Sequence, residues 1–79
     1  MQNKIKFVLE IIEKHETNNK LAKVRATHKT GFVTQSQQGW CWVDENSAVG
    51  ETAEVMLSSV STKEIETEKG IAKQLVLVP

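Results

Sequence analysis

The stretch Lys4-Ile5-Lys6-Phe7-Val8-Leu9-Glu10-Ile11-Ile12-Glu13-Lys14-His15 decides the fold, because its apolar residues satisfy two templates at once. Read as a helix, Ile5, Val8, Leu9 and Ile12 form one stripe with Phe7 and Ile11 at its edge. Lys6, Glu10, Glu13 and Lys14 then collect on the opposite side, and Glu10 to Lys14 has the favourable i,i+4 order. Read as a strand, Ile5, Phe7, Leu9 and Ile11 share one face, while Val8 and Ile12 fall on the other unless a bulge returns one of them inward. The spacing suits the helix better. The β-branched and aromatic content suits the strand, and so does the Thr17-Asn18-Asn19 turn leading straight into another strand-like run. The expectation is an all-β chain, and the alternative is an α+β fold with an N-terminal helix over 4–15.

Beyond this stretch, turn-forming clusters recur at short intervals: Glu16-Thr17-Asn18-Asn19, Lys29-Thr30-Gly31, Ser36-Gln37-Gln38-Gly39, Glu45-Asn46-Ser47 and Glu68-Lys69-Gly70. Asn and Gly tolerate the left-handed backbone of tight turns, so these clusters are expected to be hairpin connections, with Gly31, Gly39, Gly50 and Gly70 each at a turn. The segments between them, 21–28, 39–44, 52–58 and 71–78, read as strands. Ser61-Thr62-Lys63-Glu64 matches a capping box and would open one helical turn; a projecting hairpin with Glu64, Glu66 and Glu68 on one face is the competing reading. No repeat, linker or low-complexity tract divides the 79 residues. A single small domain of about five to seven short strands is expected, a barrel or a sandwich.

A chain this short buries little more than about 60% of its unfolded surface and often needs a staple. Cys41 is the only cysteine, so no intrachain disulfide forms, and the two histidines match no zinc-ligand spacing. Oligomerisation is the remaining way to add burial. A lone thiol suits a reducing compartment, which makes the cytoplasm the default location. The apolar run 7–12 is interrupted by Glu10 and is too short for a signal core or a membrane span, so no membrane role is expected.

The zero net charge hides an asymmetry. Residues 1–29 carry seven basic groups against three acids, whereas 30–60 carry four acids (Asp44, Glu45, Glu51, Glu54) and no basic group. On a strand, Lys23, Arg25, Thr27 and Lys29 would share one face, with Ala22, Val24 and Ala26 facing the core. With Lys20 this makes a basic stripe able to track phosphates, to discourage edge pairing, or to meet the acidic middle of another subunit.

Gly39-Trp40-Cys41-Trp42-Val43 holds both tryptophans. Period two places Trp40 and Trp42 on one strand face, either as a stacking platform for bases or as core filling, and at least one indole is expected inside. Cys41, on the other face without a positive neighbour, reads as a small buried hydrophobe. A remote alternative has His28 acting as its base, oriented by Asp44 or Glu45. His15 reads as an exposed loop histidine.

Gly31-Phe32-Val33, Gly39-Trp40-Cys41-Trp42-Val43 and Val49-Gly50-Glu51-Thr52-Ala53-Glu54-Val55 together resemble the middle of small oligonucleotide-binding barrels of the S1 or TRAM type, over about a third of the chain. That resemblance implies RNA contact through aromatic and basic residues on central strands. The functional expectation is non-catalytic binding without metal or cofactor. Protein contacts, most simply in a homo-oligomer, lead, and single-stranded nucleic-acid binding by Trp40, Trp42, Lys20, Lys23, Arg25 and Lys29 is the alternative.

Overall fold

The structure, a computed structural model, describes residues 3–79, and every regular element in it is a strand. β1 (Ile5–Lys14), β2 (Leu21–Thr30), β3 (Val33–Trp42), β4 (Thr52–Leu57), β5 (Ser59–Thr67) and β6 (Gly70–Val78) form one sheet in the order β4-β1-β2-β3-β6-β5. The strands at the two ends of that order, β4 and β5, are consecutive in sequence and separated only by Ser58. Laid flat, six strands would set those edges about 24 Å apart, far beyond the reach of one residue. The sheet therefore curls until its edges meet, and β4 and β5 are the two halves of one bent strand. The Ser58 N–H fixes the bend by donating to the Val78 carbonyl at 2.7 Å. The result is a partly open barrel, not a sandwich of two sheets.

The contested first segment is a strand because it has a partner on each side. β1 pairs antiparallel with β2 and with β4, which satisfies its backbone along both edges. The helix over 4–15 does not form. Phe7 and Ile11 face the core, and the register shifts between Ile11 and Glu13, so the extra residue Ile12 marks a bulge.

Phe7, Ile11, Ala22, Val24, Ala26, Leu57 and Leu75 make the core, with Leu9, Cys41, Val43, Val55, Val60 and Leu77 packed round it. On β2 the buried Ala22, Val24 and Ala26 alternate with Lys23, Arg25 and Thr27 as expected. Neither tryptophan joins the core, which corrects the expectation that one would fill it. Gly39 and Cys41 take the inward positions of β3, and strand alternation leaves both indoles outside.

Ser36-Gln37-Gln38-Gly39 is not a turn either. It lies within β3, and Gly39 is required by a crossing strand. A Cβ on Gly39 would stand 2.5 Å from the Leu75 nitrogen, so β6 passes β3 backbone against backbone. The parallel pair Trp40↔Gln74 forms at this crossing. Gly31, by contrast, has φ 61° and does sit in a turn, between β2 and β3. The segment 61–64 belongs to β5, so the hairpin reading holds there and the helical turn does not. Residues 29–38 are all exposed, because the β2–β3 hairpin runs beyond the barrel, and the molecule measures 39 × 26 × 25 Å. Among the described residues no helix is long and apolar enough to cross a membrane.

Candidate functional site

The outer faces of β2 and β3 form a continuous surface whose opposed pairs are Lys23↔Trp40, Arg25↔Gln38, Thr27↔Ser36 and Lys29↔Thr34. Because β6 crosses β3 at Gly39, the start of the β5–β6 hairpin stands beside this surface. A groove of about 600 Å³ opens between them. Lys23, Trp40, Gln38 and Ser36 line one side of it, and Thr62, Ile71 and Lys73 line the other. Among the described residues no carboxylate lines it. Lys23 and Lys73 have Glu13 and Glu64 as cross-strand partners, yet among the described residues neither lysine comes within ion-pair distance of an acid. The groove therefore combines two cationic heads, amide and hydroxyl groups and one indole.

Two turns close round this groove. In the β1–β2 turn, the Thr17 and Asn18 N–H groups both donate to His15 Nδ1 at 3.2 Å, which places the ring proton on Nε2. The His15 ring then meets Trp40 edge to face at 5.5 Å. His15 is thus a half-buried brace for the Trp40 indole, not the free loop histidine expected. In the β5–β6 turn, Lys69 Nζ reaches Glu16 Oε2 at 3.7 Å and links the two turns. Both side chains are almost wholly exposed, so this link holds them only weakly.

The structure brings some of the expected residues together and separates others. Trp40 and Lys23 are adjacent in the groove. Trp42 shares their face but lies outside the groove and is 71% exposed. Arg25 is on the same face, but Arg25 Nη1 donates to Glu10 Oε1 at 3.3 Å, so its charge is partly neutralised. Lys29 lies six residues along β2 from Lys23, about 20 Å away on the exposed arm. Lys20 is exposed in the β1–β2 turn, where its carbonyl accepts from the Val43 N–H at 2.8 Å. Lys73, Ile71 and Thr62 were not foreseen. Their neighbourhood to Trp40 depends on the β3–β6 crossing, and the one local trace of that crossing was a glycine next to a tryptophan.

The proposed Cys41–His28 couple is not assembled. Cys41 pairs with Ala22, six residues along β2 from His28, so about 20 Å of strand separates them. His28 stacks against Phe7 at 5.3 Å and shares a 2.7 Å hydrogen bond with Thr30 Oγ1. The Cys41 thiol is half-buried and donates to the Leu75 carbonyl at 3.8 Å, and burial pushes its pKa up, away from nucleophile character. Among the described residues no cluster of His, Cys, Asp and Glu is placed to hold a metal ion. In comparisons with known proteins, no family model, curated protein or solved structure matches the chain.

Proposed function

We propose that this domain binds single-stranded nucleic acid non-catalytically, in the groove between the β2–β3 face and the β5–β6 hairpin. The observation that carries the reading is the placement of Trp40 between Lys23 and Lys73 in a groove lined, among the described residues, by no carboxylate. An indole face stacks on any base, and two ammonium groups beside it match the phosphates on either side. The position of the groove supports the same reading. Counting β4 and β5 as one bent strand, the barrel has five strands, and the groove lies on strands two and three between the first turn and the last. In Greek-key oligonucleotide-binding barrels this is the face that takes the ligand. The 31–55 resemblance points the same way. A cytoplasmic, reducing setting suits the unpaired thiol.

Tryptophan fluorescence titration with mixed-sequence oligonucleotides at low salt tests the reading. Binding should quench Trp40, and the quench should survive in Trp42→Phe. Trp40→Ala should weaken binding roughly 5- to 150-fold, the equivalent of one lost stacking contact. With two phosphates engaged, log K should fall with log salt at a slope of about −1.4. No quench at low salt, or a quench indifferent to salt, would remove the proposal.

A further inference from the structure

A second surface pair lies at the two ends of β3, away from the groove. At one end, Phe32 sits fully exposed at the tip of the β2–β3 hairpin, next to an exposed Val33 and beyond an exposed Lys29. At the other end, the barrel mouth is an apolar hollow of about 220 Å³, into which Leu9, Ile11, Val24, Cys41 and Leu77 look from four strands. Its rim has the opposite charge to the tip. Glu51 lines the hollow, Asp44 and Glu45 lie on the same connecting loop, and these three carboxylates outnumber Lys20, whose carbonyl accepts from the N–H of Val43 at the rim. Exposed Trp42 and Val49 extend the apolar surface outward at this rim.

The geometry points to a head-to-tail contact between copies of this chain, in which Phe32 of one copy enters the barrel mouth of the next. A second copy is the occupant because each partner surface supplies what the other lacks. The tip offers an apolar ring with a lysine behind it, and the mouth offers an apolar hollow with carboxylates round it. A chain cannot fill its own mouth, since the ten residues of β3 hold tip and mouth about 33 Å apart. The contact is heterologous, so it propagates into open chains instead of closing a symmetric dimer. One hairpin tip buries far less than a standard interface, so the association is weak and depends on concentration.

Sedimentation velocity on the whole domain tests this. The wild-type sedimentation coefficient should rise steadily with concentration into the millimolar range. Phe32→Ser removes the tip, and Ala53→Phe fills the mouth from its exposed rim. Each variant alone should sediment as a monomer, and an equimolar mixture should give a heterodimer and nothing larger, because only one intact tip and one intact mouth remain. A wild type that stays monomeric, a Phe32→Ser chain that associates as before, or two variants that fail to combine overturns the proposal. A second readout does not depend on the mouth variant folding. Trp42 lines the mouth, so in Trp40→Phe its emission should shift to the blue as the concentration rises, and in Trp40→Phe combined with Phe32→Ser it should not. An unchanged emission, or the same shift in both chains, overturns the contact.

Discussion

Replacing Gly39 by alanine tests the central feature of the architecture, the close crossing of β6 over β3. The added Cβ would stand 2.5 Å from the Leu75 nitrogen, 2.9 Å from the Gln74 carbonyl carbon and 3.0 Å from the Leu75 Cα. All three are backbone atoms, so no rotamer change relieves the clash, and β6 must move away by close to an ångström. That movement loosens Leu75, which is 4% exposed, and strains the Trp40↔Gln74 pair. Overpacking of this kind costs about 1–3 kcal/mol, and rigid surroundings favour the upper end. Against a total stability of roughly 4–12 kcal/mol for a domain of this size, that is a large fraction. At about 4–8 °C per kcal/mol, a 3 kcal/mol loss lowers the melting temperature by roughly 12–24 °C. The sign is as informative as the size. A strand glycine kept for no packing reason would gain about 0.4–1 kcal/mol on becoming alanine, through a less disordered unfolded state. Gly31→Ala is the control: nothing lies within 4 Å of its Cβ, so it suffers only the strain of its φ of 61°, of order 1 kcal/mol. Thermal and urea melts followed by circular dichroism measure both variants. If Gly39→Ala melts at or above the wild type, or above Gly31→Ala, the close crossing is wrong.

The remaining predictions concern individual side chains. Glu10→Gln releases Arg25 from its 3.3 Å pair and should steepen the salt dependence of oligonucleotide binding by up to about 0.7, read from titrations at several salt concentrations. Its effect on stability should stay under about 1 kcal/mol, since both side chains are 40% exposed. Native Cys41 should react with iodoacetamide more slowly than in urea at neutral pH, and its rate should still be climbing with pH above the usual thiol value of 9.0, where that of the unfolded chain levels off. The folded state holds that proton more tightly than the unfolded state, so this contribution to stability is complete below pH 9 and declines as pH rises past it. In a Thr30→Val background, which already lacks the exposed bond between Thr30 and His28, His28→Leu removes a buried Nδ1 that has no hydrogen-bond partner among the described residues, and should raise stability by about 1 kcal/mol in a urea titration; a loss of that size in this comparison would refute the unpaired nitrogen.

Local sequence signals carried most of the elements but not the way they meet. The alternation of Ala22, Val24 and Ala26 with Lys23 and Arg25 is a period-two pattern set by one buried face, and it reads directly. The first segment resisted because its apolar residues fit two periods, and the deciding factor was the pair of neighbours, β2 and β4, that flank it. Ser36-Gln37-Gln38-Gly39 has the composition of a turn because none of it meets the apolar core: Ser36 and Gln38 line the groove, Gln37 donates to the Val60 carbonyl at 3.0 Å, and Gly39 lies against the β6 backbone. Gly39 was misread for a related cause. A glycine kept for a left-handed φ and one kept for a strand passing 2.5 Å away look the same in sequence. The groove inherits that ambiguity. Trp40 and Lys23 could be paired from strand alternation and a hairpin, whereas Lys73 joins them through a contact between residues more than thirty positions apart.

The two proposed surfaces use β3 differently, and this leads to a joint consequence. The groove occupies the outer face near Trp40, while the tip and the mouth occupy the strand's ends, so a head-to-tail chain of domains leaves every groove open. Successive grooves would then lie along one assembly, and an oligonucleotide long enough to reach two of them would bind the second at a raised effective concentration. Weak binding at each groove and weak association at each tip would reinforce one another. Long oligonucleotides should accordingly bind the wild type cooperatively and Phe32→Ser non-cooperatively, whereas short ones that fill a single groove should bind both alike. Equal cooperativity in the two proteins would separate the surfaces, leaving the groove to act alone.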